Sequence, residues 1–298
     1  MFIFLAVHIY VTAMLFRLKK NYTEVNFLKS KEVNPINSLL QVHSLKLRSR
    51  SLERKIRVRL YLPTVIEKCK FTLLLNDGQD MEQLQLIEAL QGLYTKGGGD
   101  IKFAVVAIHA NENRMQEYGV AGSPDFKNRG KKASAYSNFI IKELTPYLQR
   151  KYGLMKETDP NVFAGFSMGG LSALDISWNN PHLFKKAGVF SGSLWWRSKN
   201  TETPMDDASR IMHRKIRESE KREDFKFWFQ TGTKDETKDR NKNGVIDSID
   251  DTRDLIADLK SIGYSNEDII YEEILDGQHN FNTWSMIFPQ FLRWAFVD

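Results

Sequence analysis

The chain has 298 residues, 42% of them apolar and 12% aromatic, which is enough for a sizeable core and excludes global disorder. Its one cysteine, Cys69, excludes an internal disulfide, a two-cysteine metal site and a CxxC redox motif. The formal net charge of +6 is concentrated in residues 1–60, and no nucleic-acid-binding motif accompanies it. We therefore expect a protein that does not bind nucleic acid.

The chain begins with an apolar stretch, MFIFLAVHIYVTAMLF (1–16), that is followed by basic residues. The stretch is short for a membrane span, and no positive region precedes it as in a signal peptide. We treat residues 1–39 as an apolar and basic N-terminal segment and expect a cytoplasmic protein. The alternatives are a membrane tether through residues 1–16, export, or a translation start at Met14.

The next segment, KLRSRSLERKIRVR (46–59), alternates basic and apolar residues with a period of two. This period is typical of half-buried strands with one wet face. We interpret the segment as an N-terminal antiparallel hairpin whose basic face is solvated.

From there to the C-terminus, short apolar runs alternate with helical patterns. The predicted strands are 71–76, 103–110, 161–166, 186–192, 225–232 and 269–275, and the predicted helices cover 83–94, 133–152, the residues after 167, 252–263 and 281–296. This alternation predicts one α/β domain over 40–298, with a mostly parallel central sheet and helices on both faces. In such sheets functional residues collect at the C-terminal ends of the strands.

One strand end carries AGFSMGG (164–170), which contains the G-x-S-x-G pattern between a strand and a helix. A serine on such a sharp turn needs neighbours without a Cβ atom, and the following helix points N–H groups and positive dipole at the reacting oxygen. Ser167 is therefore the candidate nucleophile.

Serine needs a base to remove its proton, and a histidine is the usual one. His279 follows the last predicted strand and precedes the last helix, so it is the first candidate. His109, at the end of another strand, is the alternative.

The acid that orients the histidine is expected after the strand FKFWFQTG (225–232), where Asp235 and Glu236 are adjacent. We favour Asp235, and Glu236 remains the alternative. The order Ser167, Asp235, His279 is that of the α/β-hydrolase catalytic triad.

These motifs give the chain a family resemblance from about residue 40 to its C-terminus. The segments that carry it are AGFSMGG, NDGQDM (76–81), NRMQEYG (113–119), KELTPYLQRKY (142–152), SGSLWW (192–196) and the GQH segment (277–279). Together they resemble the Putative esterase family of α/β-hydrolases, which includes enterochelin esterases, S-formylglutathione hydrolases and feruloyl esterases. The resemblance implies an α/β-hydrolase fold and a serine ester hydrolase.

The resemblance also implies an oxyanion hole, with one donor from the N–H of Met168 and a second from the loop after the strand 71–76. Gln79 is our candidate for the second donor. Trp195, Trp196 and Trp284 are candidates for the substrate pocket, although ordinary core packing explains each equally well. In NRMQEYG, Arg114 and Glu117 either form an ion pair, which we favour, or contact substrate.

The acidic stretch DRNKNGVIDSID (239–250) follows the calcium-loop template D-x-[DN]-x-[DN]-G. The predicted ligands are Asp239, Asn241, Asn243, the carbonyl of Val245, Asp247 and Asp250. An EF-hand carries a bidentate Glu at the last position, so Asp250 predicts a weaker site. A structural Ca²⁺ is therefore expected, against the alternative of a solvated loop, and no cofactor is expected for catalysis.

The sequence thus predicts a serine esterase that acts through an acyl-enzyme on a small-molecule carboxylic ester of unknown identity. The alternatives are acyl transfer to a sugar or lipid acceptor, and a non-catalytic α/β-hydrolase scaffold.

Overall fold

The computed structural model describes residues 31–35, 40–64, 69, 71–96, 103–200 and 208–296. Its strands form one nine-stranded sheet. In chain order they are β1 (Lys31–Pro35), β2 (Leu40–Arg48), β3 (Lys55–Pro63), β4 (Phe71–Leu75), β5 (Phe103–Ile108), β6 (Asn161–Phe166), β7 (Phe184–Phe190), β8 (Lys226–Lys234) and β9 (Ile269–Gln278).

The strand order across the sheet is β1-β2-β3-β5-β4-β6-β7-β8-β9. The strands from β4 to β9 are parallel, whereas β1, β2 and β3 pair antiparallel and β3 joins β5 antiparallel. The predicted mostly parallel sheet is confirmed. The predicted hairpin is formed by β2 and β3, and β1 extends the sheet to residue 31.

Burial along the strands follows their position in the sheet. β5 and β6 are buried at every position, as their continuous apolar sequences require. The N-terminal half of β3 alternates exposed and buried residues, which matches its basic and apolar alternation. The wet basic face predicted for the hairpin is thus present on β3.

Helices cover both faces of the sheet. They are α1 (Leu86–Lys96), α2 (Arg114–Glu117), α3 (Ala133–Asn138), α4 (Thr145–Tyr152), α5 (Met168–Asn179), α6 (Ile211–Arg217), α7 (Asp247–Ser261) and α8 (Phe281–Phe296), with a π-helical segment, Phe139–Leu144, between α3 and α4. One apolar core contains the buried side chains of α3 to α7, and a second contains those of α1 and α8. The predicted helices on both faces are confirmed.

None of the helices among the described residues is long and apolar enough to cross a bilayer. Residues 1–16, on which the membrane-tether alternative and the Met14 start rest, lie outside the described residues.

The chain changes direction across the sheet next to β4. It runs from β4 to β5 on one side and then continues with β6 on the other. In parallel α/β sheets such a switch opens a crevice at the carboxyl ends of the strands, where ligands bind. The residues that follow β4 and β6 are Asn76 and Ser167, so the candidate nucleophile lies at this switch point.

Candidate active site

Ser167 occupies a sharp turn between β6 and α5. Its φ of 55° and ψ of −124° are unusual for a residue with a side chain, and its N–H donates to the carbonyl of Phe190 at 2.8 Å. A Cβ on Gly165 would lie 2.5 Å from the backbone of Gly169. The glycines of G-x-S-x-G are therefore required because the strand and the helix touch at the turn.

The surroundings of Ser167 supply hydroxyl and amide groups. Met168 is the first residue of α5, and an N–H in the first turn has no carbonyl of its own helix to bind. The Oγ atoms of Ser167 and Ser193 are 3.4 Å apart, and the N–H of Ser193 donates to the carbonyl of Ser167 at 3.1 Å. Ser167 is partly exposed, whereas its neighbours in β6 and α5 are buried.

A buried polar network connects the end of β4 to the turn at Ser167. Asp77, in the left-handed region with φ of 59°, binds the guanidinium of Arg114 through both oxygens at 2.6 and 2.8 Å. Arg114 also donates to the carbonyl of Phe166 at 3.3 Å. Asn76 donates to the carbonyl of Gly169 at 2.7 Å. The end of β4 is thus tied to both sides of the nucleophile turn.

The expected ion pair between Arg114 and Glu117 is wrong. Arg114 pairs with Asp77, while Glu117 forms a bidentate pair with Arg54 at 2.5 and 2.7 Å. Glu117 is buried, so its charge requires a partner, and Arg54 beside β3 supplies one. A spacing of three residues did not determine the partners because α2 turns the two side chains to different elements.

Gln79 lies in a 3₁₀ turn, Gly78–Asp80, directly after β4. Its side chain joins two strand ends: Oε1 accepts from the N–H of Ala110 at 2.9 Å, and Nε2 donates to Asp80 at 2.8 Å. The side chain is therefore engaged structurally, and only the backbone N–H of Gln79 is left for the predicted oxyanion role.

Asp235 follows β8 in a tight turn. The N–H of Gly232 donates to its Oδ2 at 3.0 Å, whereas its Oδ1 is buried without a hydrogen-bond partner among the described residues. Burial raises the pKa of the Asp235 carboxyl, and the N–H of Gly232, the hydroxyl of Ser191 and the His279 ring each lower it. The His279 ring and this carboxylate therefore interact electrostatically.

His279 lies between β9 and α8, as predicted. Its ring packs edge-on against Trp284, with ring centroids 5.3 Å apart and planes at 75°. Burial and Arg114 lower the pKa of His279, and Asp235 raises it. The net lowering keeps the imidazole neutral near pH 7, the form that a general base requires.

The two alternatives face other parts of the molecule. His109 is buried at the end of β5, where burial, Arg59 and Arg57 lower its pKa to about 4. Burial and the carboxylates of Asp247 and Asp251 raise the pKa of Glu236. His109 thus faces β3, and Glu236 faces α7.

The three tryptophans differ in their surroundings. Trp196 is fully buried and donates to the carbonyl of Ser123 at 3.0 Å, and Trp284 is buried against His279. Trp195 is half-buried and lines a cleft of about 620 Å³, where the guanidinium of Arg129 lies 4.6 Å above its ring. The cleft also reaches Glu236, the neighbour of Asp235. Of the three, Trp195 alone lines this cleft.

The loop 239–250 folds around Asp250. The side-chain amides of Asn241 and Asn243 both donate to its Oδ2 at 2.8 Å. Asp239 accepts from the N–H groups of Asn243 and Gly244 at 3.1 and 2.9 Å. The side chains at loop positions 1, 3, 5 and 12 therefore converge.

Two of these four converging side chains are amides. In the part of the chain that the structure describes, no three His, Cys, Asp or Glu side chains form a cluster that could hold a metal ion. Asp247, the predicted ligand at position 9, accepts from the N–H of Arg240 at 2.8 Å and pairs with its guanidinium at 3.3 Å.

Solved structures share this fold at low sequence identity. The enterobactin esterase FES from Shigella flexneri, solved in the presence of 2,3-di-hydroxy-N-benzoyl-serine, is 21% identical with a TM-score of 0.67, covering 89% of this chain and 61% of that one. A ferulic acid esterase is 17% identical with a TM-score of 0.64, covering 87% and 98%. An S-formylglutathione hydrolase from Agrobacterium tumefaciens is 12% identical with a TM-score of 0.61, covering 91% and 98%. The α/β-hydrolase fold is confirmed.

Sequence comparisons add a family and a curated relative. The chain is 28% identical over 91 residues to the uncharacterized protein YbbA of Bacillus subtilis (strain 168). This match covers 29% of this chain and only 36% of YbbA. The family model described as "Putative esterase" matches residues 49–295, which is most of the chain. The chain therefore belongs to the Putative esterase family.

Proposed function

We propose that the protein hydrolyses a small carboxylic ester through an acyl-enzyme formed on Ser167. The observation that carries this proposal is the placement of Ser167 on a strained strand-to-helix turn, at the sheet edge where Asp235 and His279 act on each other electrostatically. A strained, partly exposed serine at a helix N-terminus is the arrangement that ester chemistry requires.

In the proposed reaction, His279 removes the proton of the Ser167 hydroxyl as its Oγ attacks the ester carbonyl carbon. The tetrahedral intermediate collapses, His279 returns the proton to the leaving alcohol, and Ser167 holds the acyl group. A water molecule, deprotonated by His279, then attacks the acyl carbon; the bond from that carbon to Ser167 Oγ breaks, His279 returns the proton to Oγ, and the carboxylic acid leaves. Asp235 stays ionised throughout and stabilises the imidazolium.

Asp235, and not Glu236, is the acid in this proposal. The buried Oδ1 of Asp235 lacks a partner among the described residues, and an imidazole N–H is the donor that it could accept. Glu236 is influenced by Asp247 and Asp251 on α7 instead of by His279. The direction of each carboxylate supports the choice.

The developing oxyanion is stabilised by backbone N–H groups. Met168 supplies one from the start of α5, and Gln79 supplies the second from the turn after β4. Each donor contributes about 3 kcal/mol to stabilising the transition state. The 3₁₀ turn and the Gln79 side-chain bonds would hold the second N–H in place.

The non-reacting part of the ester lies, in this proposal, in the cleft that Trp195 lines. The cleft is next to the acid loop through Glu236 and reaches the loop that carries Ser193, whose hydroxyl is 3.4 Å from that of Ser167. Acyl transfer to a sugar or lipid acceptor uses the same acyl-enzyme and differs only in the group that accepts the acyl chain.

The test is hydrolysis of short-chain p-nitrophenyl esters by the wild type and by Ser167→Ala, together with labelling by a fluorophosphonate probe. We expect the wild type to hydrolyse the esters with an initial burst and to be labelled once, on Ser167. Ser167→Ala should show neither reaction. Hydrolysis that persists in a folded Ser167→Ala protein would contradict the acyl-enzyme mechanism.

A second proposal concerns the loop 239–250, which we infer binds a Ca²⁺ ion that stiffens the loop behind the acid. The side chains of Asp239, Asn241, Asn243 and Asp250 converge in the order of the template, and the proposed ligands are their oxygen atoms together with those of Asp247 and the carbonyl of Val245. Only carboxylates contribute full charge, and Arg240 competes for Asp247, so the affinity should be low. Equilibrium dialysis at millimolar calcium tests it, and no bound ion would contradict it.

A further inference from the structure

Ser191 is a buried serine that the proposed reaction does not use. It follows β7 with a φ of +43°, and its N–H donates to the carbonyl of Gln230 in β8 at 2.7 Å. The residue before it, Phe190, accepts the N–H of Ser167. Ser191 therefore lies between the strand end that holds the nucleophile and the strand that leads to the acid.

The Ser191 hydroxyl is oriented by a tryptophan. The indole Nε1 of Trp284 donates to Ser191 Oγ at 3.0 Å, and this pair is buried. An indole N–H can only donate, so the oxygen of Ser191 must act as acceptor and its own hydrogen must point elsewhere. The hydroxyl is thereby committed to donating to a further group.

The group that it acts on is Asp235. The hydroxyl of Ser191 lowers the pKa of the Asp235 carboxyl, opposing the increase that burial causes. In this structure Oδ1 of Asp235 is buried and has no hydrogen-bond partner among the described residues.

Trp284 also contacts the other members of the proposed triad. Its ring packs edge-on against His279 at 5.3 Å and against Phe166, the neighbour of Ser167, at 5.0 Å. One rigid aromatic side chain therefore touches the base, supports the nucleophile turn and orients a hydroxyl toward the acid.

We propose that Ser191 and Trp284 are positioning residues for the triad acid: Trp284 fixes the Ser191 hydroxyl, which donates to Asp235 and keeps this carboxylate ionised and directed at His279. The inference rests on the proposed function, because it assigns these residues to an Asp235 that works with His279.

Few charged groups influence the ionisation of Asp235 and His279. His279 acts on Asp235, and both Asp235 and Arg114 act on His279. The adjacent Lys234 is exposed and pairs with Asp276 at 2.7 Å. Since burial disfavours the carboxylate, removing the hydroxyl should raise the pKa of Asp235.

The test is the pH profile of kcat/KM for p-nitrophenyl acetate in Ser191→Gly, Ser191→Ala and Trp284→Phe. Ser191→Gly removes the hydroxyl and relieves the positive φ, so folding is not at risk. We expect kcat to fall by about 10-fold in both Ser191 variants with KM little changed. The acid limb of the profile, which reports the pKa of His279, should move to lower pH by about 0.5–1 unit, because a less ionised Asp235 raises that pKa less. Trp284→Phe keeps the ring but not the N–H and should shift both in the same direction by less.

The chain offers a matched control far from the triad. Trp178, also fully buried, donates its Nε1 to Ser219 Oγ at 3.3 Å. Trp178→Phe and Ser219→Ala make the same chemical changes and should leave the pH profile unchanged.

Three outcomes decide the inference. A shifted acid limb in the Ser191 variants and unshifted controls support it. A wild-type kcat and acid limb in Ser191→Gly, with Asp235→Asn inactive, would overturn the inference and leave the proposed function intact. A fully active Asp235→Asn would overturn both.

Discussion

The nucleophile and the acid–base pair of the proposed triad all follow the carboxyl ends of strands in one sheet, but the fold holds them differently. Ser167 follows the fully buried strand β6 and is held by backbone contacts, with Gly165 and Gly169 in direct contact. His279 follows β9, an edge strand that is partly exposed, where Leu275 is 80% exposed. Asp235 and His279 depend on side-chain contacts such as those of Ser191 and Trp284.

The nucleophile turn should therefore be rigid, whereas the acid and the base should be able to move. The nucleophile turn cannot move without displacing central strands, because backbone atoms touch there. The acid and base can adjust to each other through rotations of side chains in loops. The predictions below test this division, beginning with the largest expected effect.

The rigid nucleophile turn should lose its function when one methyl group is added to it. In Gly165→Ala the new Cβ would lie 2.5 Å from backbone atoms of Gly169. We expect no measurable esterase activity and a free energy of unfolding lower by about 2–3 kcal/mol. Gly92→Ala, in open space on α1, is the control and should leave activity unchanged. Activity in a folded Gly165→Ala protein would mean that the turn is not rigid.

A substitution in the acid–base pair should abolish catalysis without unfolding the protein. Asp235→Asn removes the charge that stabilises the imidazolium, and we expect kcat to fall by about 10⁴-fold at an unchanged melting temperature. Glu236→Gln makes the same change one residue away and should alter kcat by less than about 3-fold. Equal losses in both variants, measured by steady-state kinetics, would contradict the assignment of Asp235.

Arg114 links the two sides, because it holds Asp77 and acts on His279. Arg114→Met leaves Asp77 as a buried unpaired charge and should lower the free energy of unfolding by about 3 kcal/mol. Since Arg114 lowers the pKa of His279, its loss should raise that pKa, and the acid limb of kcat/KM should move to higher pH.

The pair of Arg54 with Glu117 provides the matched control for this variant. It is also bidentate and its carboxylate is also buried, but it does not act on His279. Arg54→Met should therefore lose comparable stability and keep the wild-type acid limb. A shift in both variants would indicate general destabilisation instead of an electrostatic effect on the base.

The smallest effect should come from the loop 239–250. If this loop binds calcium, millimolar Ca²⁺ should raise the melting temperature by about 2 °C, and a chelator should reverse the increase. Asp239→Ala should abolish the response while changing kcat by less than about 2-fold. A melting temperature that responds equally to Ca²⁺ in the wild type and in this variant would locate the ion elsewhere.

Hydrophobic periodicity was sufficient to predict most of the fold. Strand β6 and helix α8 lie at the predicted residues, because both have strong, uninterrupted patterns. Strand β1, KEVNP, carries no such pattern and forms by pairing with β2. Helix α7 begins at Asp247, five residues before its predicted start, because the acidic loop obscured its first turn.

The site was predictable where its geometry is local. The turn at Ser167 is encoded by adjacent residues, and the pattern therefore carries both the position and the conformation. The partner of Arg114 was not predictable, because Asp77 lies 37 positions away and only the packing of β4 against α2 brings them together. The Ser191 contacts escaped for the same reason, since Trp284 is 93 positions distant.

The backbone at Ser167 has an evolutionary consequence. Its φ of 55° and ψ of −124° suit glycine, and a residue with a side chain adopts them at a cost of about 1–3 kcal/mol. Ser167→Gly should therefore unfold at a higher temperature than the wild type while hydrolysing nothing. A single substitution would therefore give a more stable but inactive protein, and selection for catalytic turnover is what retains the serine.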